Sequence, residues 1–315
     1  MAISGSEAGP RGRGPGADPA AAPDPAGTLA AFEAGLDRAA LDAAYGAQAS
    51  VGPAVFAAAM AEYRAATDRA RAVLTPAEHV YDPASGERLD LWGAEPGGPP
   101  RPAVIFLHGG YWRLLGRGDS GFMAPMLAGA GIVTAVPDYT LAPAASLAEI
   151  VRQTRQALVW LWTNAPALGI DRRRIAVTGS SAGGHLAAML LADGWRADAG
   201  LPEDALAAAM PISGLYDLAP LARCFPQDWL ALTADDVRRL SPIRALPASP
   251  PPVAVLRAGH EAAGFVRQSD AYAAALGLPV EAIGGRNHFD VILDLADPSS
   301  AIARRLVALT QRGRG

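Results

Sequence analysis

Six short apolar runs, at 103–107, 131–136, 174–178, 207–212, 252–257 and 279–283, alternate with stretches of helical periodicity. The helical stretches fall at 121–128, 146–164, 182–193, 265–276 and 300–311. Strands this uniformly apolar have no face to offer water, so they belong in a sheet covered on both sides, with helical crossovers making neighbours parallel. The alternation predicts an α/β architecture: a mostly parallel central sheet with helices on both faces. Ahead of it, 29–73 reads as helical and is divided at Gly52-Pro53. A hairpin follows, from 79–81 and 88–92 joined by Pro83-Ala84-Ser85-Gly86. Residues 1–27, rich in Gly, Pro and Ala, read as a disordered tail, which leaves 28–315 as a single domain. One interval, 217–249, interrupts the alternation with prolines and short helical pieces. It reads either as a small cap over a site or as a peripheral helix pair.

Within that alternation, Gly179-Ser180-Ser181-Ala182-Gly183 joins a strand candidate directly to a helix candidate. A sharp turn between strand and helix holds its central residue under backbone strain, and only small neighbours let the two elements approach closely enough. The serine then stands at a helix N-terminus, where free N–H groups favour developing negative charge. Register selects Ser181, which has glycine two residues to either side, whereas Ser180 is flanked by Thr178 and Ala182. A serine-capped glycine turn accounts for Ser180 but not for Ser181.

Composition narrows the chemistry further. All 27 basic residues are arginine, so a Ser–Lys dyad, a Schiff-base lysine and a P-loop lysine are excluded together. The net charge of −4, with no basic block, argues against nucleic acid as a partner. Cys224 is the only cysteine, so no intrachain disulfide forms. His79, His108, His185, His260 and His288 are scattered without metal-ligand spacing, and no metal or other cofactor is expected. No apolar stretch is long enough to span a membrane and the N-terminus lacks a signal-peptide core, so a cytoplasmic protein without membrane contact is expected. The sequence leaves a homodimer open.

A hydroxyl nucleophile needs a base that titrates near neutrality and donors for the oxyanion. His108-Gly109-Gly110-Tyr111-Trp112 follows the first central strand candidate, where glycines can aim backbone N–H groups into a site. The expected donors are Gly110, with Gly109 or Tyr111 beside it, and Ala182, the residue after the nucleophile. His108 reads as a loop-holding residue. In folds of this pattern the order is serine, acid, histidine. His288, in the loop after the last strand candidate, is the expected base, and His260 comes too early. Glu261, just beyond the strand ending near 257, is the expected acid, with Asp217 the alternative. Asp290 reads as a charge at the start of a following helix and Asp270 as water-facing.

These motifs resemble the arylformamidase (kynurenine formamidase) branch of the α/β-hydrolases. The likeness is carried by His108-Gly109-Gly110-Tyr111-Trp112-Arg113, Ser181-Ala182-Gly183-Gly184-His185-Leu186, Ser213-Gly214-Leu215-Tyr216-Asp217-Leu218, Phe265-Val266-Arg267-Gln268-Ser269 and Asn287-His288-Phe289-Asp290. It spans about 45–294. The family's catalytic residues would fall on Ser181, Glu261 and His288, with glutamate standing where aspartate is common. The resemblance implies an α/β-hydrolase fold and a small-molecule substrate, N-formyl-L-kynurenine, hydrolysed to formate and L-kynurenine through a formyl-serine. A tight acyl pocket and an aromatic leaving-group wall are then expected, with Tyr111, Trp112, Tyr216, Trp229 and Phe289 as candidates for that wall. Arg113 is a candidate for the substrate carboxylate. A short-chain carboxylesterase uses the same three residues, and a non-catalytic binding module on this fold is a third reading that the retained serine and histidine disfavour.

Overall fold

The computed structural model describes residues 1–2 and 25–312. Among the described residues four α-helices precede the sheet: α1 (Pro25–Ala34), α2 (Arg38–Tyr45), α3 (Ala47–Val51) and α4 (Pro53–Val73). The hairpin β1 (Ala77–Asp82) and β2 (Glu87–Trp92) leads to β3 (Arg101–Leu107), α5 (Ala124–Gly129), β4 (Val133–Pro137) and α6 (Leu147–Asn164). Next come β5 (Ile170–Ser180), α7 (Ala182–Leu191), β6 (Ala208–Ile212), α8 (Gln227–Leu230) and α9 (Ala234–Arg239). The chain closes with β7 (Val255–His260), α10 (Ala263–Ala275), β8 (Val280–Asn287) and α11 (Ala301–Arg312).

The strands form one eight-stranded sheet in the order β1-β2-β4-β3-β5-β6-β7-β8. The hairpin pairs antiparallel within itself and onto β4; every other pairing is parallel. Alternation along β3 shows how both faces are covered. Ala103, Ile105 and Leu107 join a core with α2, α6, α7 and α10. Val104 and Phe106 point to the other side, into a core built with α4, α5 and α11. This is the arrangement that uniformly apolar strands require. No helix among the described residues is long and apolar enough to cross a membrane.

Boundaries depart from the sequence reading where local chemistry overrides periodicity. The seventh strand begins at Val255 and not near 252, because Pro250, Pro251 and Pro252 have no N–H to give a ladder. The N-terminal helical region is cut into four pieces instead of two. Asp37 caps α2 by accepting from Ala40 N–H at 2.8 Å, and Gly46 separates α2 from α3. The expected tail lies mostly outside the described residues, and its last residues already belong to α1.

The topology makes one consequence plain. His108, Ser181, Ser213, Glu261 and His288 each directly follow the last residue of a parallel strand: Leu107, Ser180, Ile212, His260 and Asn287. A parallel sheet gathers such residues along one edge, the carboxyl edge at which open α/β sheets bind ligands.

Candidate active site

Ser181 carries φ 58° and ψ −119°, a conformation that costs an L-residue on the order of 1–3 kcal/mol. Its surroundings enforce it. Ser181 N–H donates to Ile212 O at 2.9 Å, tying the turn to β6. A Cβ on Gly183 would lie 1.9 Å from Leu107 O, so only glycine lets α7 start this close to β3. A Cβ on Gly109 would lie 2.9 Å from Ser180 O, which places the loop after β3 directly against the serine turn. Although Ser181 occupies the N-cap position of α7, its hydroxyl does not cap the helix.

The loop that supplies the glycines is itself strained, with left-handed φ at Gly110 (94°), Tyr111 (51°), Trp112 (57°) and Leu115 (71°). Contacts from distant elements hold it. Tyr111 Oη donates to Tyr45 O at the end of α2 (2.5 Å), and Trp229 Nε1 donates to Tyr111 O (3.2 Å). Ala142 N–H donates to Trp112 O at 2.7 Å. His108 stacks on Tyr139 with ring centroids 4.1 Å apart, and Tyr139 Oη donates to His108 O at 3.0 Å. Full burial depresses the His108 pKa, so this ring is neutral and structural.

His288 and Glu261 meet. His288 Nδ1 lies 3.2 Å from Glu261 Oε1, and both side chains are almost entirely buried. Because a carboxylate only accepts, Nδ1 carries the hydrogen, which leaves Nε2 as the ring's free base. The same Oε1 accepts a short hydrogen bond from Ser213 Oγ and one from Ala258 N–H at 3.2 Å. The turn presenting His288 is closed by its neighbours: Asn287 N–H and Nδ2 donate to the two oxygens of Asp290 at 2.7 and 2.8 Å. Asp290 therefore closes this turn and does not open an α-helix as expected. Asp217, the alternative acid, is fully buried and pairs with Arg244 at 3.2 Å, with Ser241 and Ala219 N–H as its other partners.

Ser181 and His288 line one cavity of about 640 Å³ together with Gly109, Gly110, Tyr111, Trp229 and Phe289. Ala182, at the first position of α7, has no intrahelical acceptor for its N–H. Two residues expected in the wall are elsewhere. Trp112 is fully buried and meets His185 edge-on at 5.0 Å, and Tyr216 is fully buried and stacked on Tyr272 at 4.1 Å. Neither lines the cavity; both are core. The 217–249 interval contributes Phe225 and Trp229. Residues the sequence reading did not assign to the site come from the N-terminal helices: Asp42, Gln48, Phe56, Met60 and Tyr63. Tyr63 Oη donates to Phe289 O at 2.5 Å, anchoring the residue after His288.

His185, one turn along α7, links that helix to the 217–249 interval. Its Nε2 donates to Leu240 O at 2.8 Å while Nδ1 is buried without a partner. Burial pushes this imidazole down from 6.5 to about 4. In the unfolded chain the ring takes a proton first as pH falls. Stability should therefore be complete above pH 6.5 and decline by about 3 kcal/mol as pH drops to about 4. Urea unfolding at the two ends of this range checks it: His185→Gln, which keeps a donor toward Leu240, should lose correspondingly less than the wild type.

The chain as a whole is similar to known proteins. A family model described as BD-FAE matches residues 89–199. The kynurenine formamidase of Danio rerio is 31% identical over 266 residues, covering 81% of this chain and 89% of that one. The kynurenine formamidase of Salmo salar is 31% identical over 77% of this chain and 85% of its own. A crystal structure from Silicibacter sp. TM1040, provisionally described as a thioesterase, superposes with a TM-score of 0.71 at 29% identity, covering 86% and 98% of the two chains. An esterase of Pyrobaculum calidifontis shares the fold at a TM-score of 0.65 and 21% identity, over 80% of this chain and 92% of that one.

Proposed function

This chain belongs to the kynurenine formamidase family and is a hydrolase of the α/β-hydrolase fold, and from that premise we propose that it cleaves an aryl formamide, N-formyl-L-kynurenine, to formate and L-kynurenine. The observation that carries the reading is the pairing, in one cavity, of a strained serine whose hydroxyl has no structural use with a histidine oriented by a buried carboxylate.

In this reading Ser181 Oγ attacks the formyl carbon while His288 Nε2 takes its proton. The oxyanion rests on the N–H groups of Gly110 and Ala182, with Gly109 shaping the approach. The C–N bond then breaks as His288 returns the proton to the departing aryl amine. Water next attacks the formyl-serine, giving a proton to His288, and the ester bond breaks with that proton passing to Ser181 Oγ, so formate leaves. Glu261 holds the imidazole tautomer and offsets the charge that His288 acquires twice in each cycle. The rings of Phe56, Tyr63, Phe225, Trp229 and Phe289 supply an aromatic wall suited to an aniline leaving group.

A short-chain ester would use the same groups, and the esterase neighbours keep that second reading alive. The kcat/KM ratio of N-formyl-L-kynurenine over p-nitrophenyl acetate separates them. The formamidase reading expects the formamide to be favoured by at least tenfold, and a strong preference for the ester defeats it.

A further inference from the structure

Most of the residues lining the cavity are apolar or aromatic. Besides His288, one acidic and one basic side chain line it among the described residues: Asp42 of α2 and Arg113 of the loop after β3. Both border one aromatic pair. Asp42 Oδ1 accepts from Phe225 N–H at 2.7 Å, and the Arg113 guanidinium lies 4.9 Å from the centroid of the Trp229 ring. The Phe225 and Trp229 rings stand 5.7 Å apart. The carboxylate thus holds the backbone of one member of this pair and the guanidinium lies over the ring of the other.

Their partners leave capacity for a ligand. Arg38 approaches Asp42 only to 3.8 Å, while its close contacts at 2.8 Å go to both oxygens of Asp228. Arg113 pairs with no carboxylate among the described residues. A guanidinium stacked on an indole face keeps its in-plane N–H donors available, and those donors match a carboxylate in a two-point fork. A largely apolar cavity lined by one such cation and one anion, each in contact with a member of the packed Phe225–Trp229 pair, fits a ligand that carries both charges.

We propose that Arg113 and Asp42 form a clamp for a zwitterion, Arg113 binding the α-carboxylate and Asp42 the α-ammonium of an amino-acid arm on the aryl formamide. This rests on the formamidase reading and adds the residues that determine specificity at the end of the substrate remote from the bond cleaved. Binding there orients the formyl carbon toward Ser181 and gives a neutral ester no comparable hold.

The test compares kcat/KM for wild type, Arg113→Met, Arg113→Lys and Asp42→Asn on three formamides. These are N-formyl-L-kynurenine, its deaminated analogue 4-(2-formamidophenyl)-4-oxobutanoate, and 2-formamidoacetophenone, which lacks both charges. p-Nitrophenyl acetate reports on the serine alone. Arg113 is exposed, and asparagine keeps the oxygen that accepts from Phe225 N–H, so thermal midpoints should stay near wild type. Arg113→Met should lower kcat/KM for N-formyl-L-kynurenine about 30-fold, mainly through KM, and for 2-formamidoacetophenone several-fold less. Arg113→Lys should recover part of that loss. Asp42→Asn should shrink the preference for N-formyl-L-kynurenine over its deaminated analogue by about tenfold. If wild type treats the three formamides alike, or if its preference survives Arg113→Met, the clamp is overturned while the formamidase reading stands. If wild type cleaves the ester and none of the formamides, both fall.

Discussion

Ser181→Ala is expected to lower kcat for formamide and ester alike by a factor on the order of 10⁴ to 10⁶, with the fold intact. The size follows from the role, since no bond to the acyl group can form without the hydroxyl, and the remaining donors offer only binding and oxyanion stabilisation to attacking water. The intact fold follows from the geometry. The Ser181 backbone is fixed by its N–H bond to Ile212 O and by the glycine contacts on either side, whereas its hydroxyl caps nothing. A residue held at φ 58° pays a conformational cost, and alanine pays the same one. The thermal midpoint should therefore move by no more than about 2 °C, which corresponds to under 1 kcal/mol. A fluorophosphonate probe should label the wild type at residue 181 and leave the variant unlabelled by intact mass. Ser180 also lines the cavity and supplies the control. If Ser180→Ala loses labelling while Ser181→Ala keeps it, the nucleophile has been placed one residue too late.

What the sequence disclosed and what it hid divide along the range of the interactions involved. The parallel sheet was readable because apolar runs and helical periodicity are local signals, and the serine turn because glycine spacing is local too. That His288 and Glu261 meet was readable through chain order, since parallel strands deliver the residues that follow them to one edge. Side-chain direction was not readable. Tyr111 and Trp112 are adjacent aromatics in one motif, yet Tyr111 reaches the cavity and Trp112 packs against His185 in the core. Two successive left-handed residues set that divergence, and no composition rule signals it. Tyr216 was drawn toward the site by its place in a family motif, but its ring stacks on Tyr272 and its Oη accepts from Gly214 N–H at 3.2 Å. The part played by the N-terminal helices was hidden for a different reason. Tyr63 and Phe289 meet across 226 positions of sequence, and nothing in either segment announces the other. Ser213 had a weak signal, a serine-glycine pair directly after a strand, in the same position relative to β6 that Ser181 holds relative to β5.

Glu261→Gln is expected to reduce kcat by about 10⁴ while leaving KM within a few-fold, because the change acts on the imidazole and not on substrate contacts. Oε1 faces three donors at once: Ser213 Oγ, Ala258 N–H and His288 Nδ1–H. An amide oxygen can still accept from some of them. If the amide turns its NH₂ toward His288 instead, Nδ1 must become the acceptor, the hydrogen moves to Nε2, and the ring can no longer take a proton from Ser181. Even in the better orientation the amide brings no charge to offset the imidazolium, and neither side chain is exposed enough for water to screen that loss. Glutamine matches glutamate in volume, so the thermal midpoint should change little compared with the loss of rate. Asp217→Asn is the counterpart. Its carboxylate is taken up by Arg244, Ser241 and Ala219 N–H, with no bond to His288, so its replacement should alter kcat by less than tenfold and show itself in unfolding. Pre-steady-state measurement with an aryl ester sharpens the contrast, since a deficient base slows formation of the acyl-serine as well as its hydrolysis, and the Glu261→Gln burst should slow along with the steady state. A Glu261→Gln enzyme of near-normal rate beside an inactive, well-folded Asp217→Asn enzyme would move the acid to β6 and require His288 to swing away from the carboxylate it now touches.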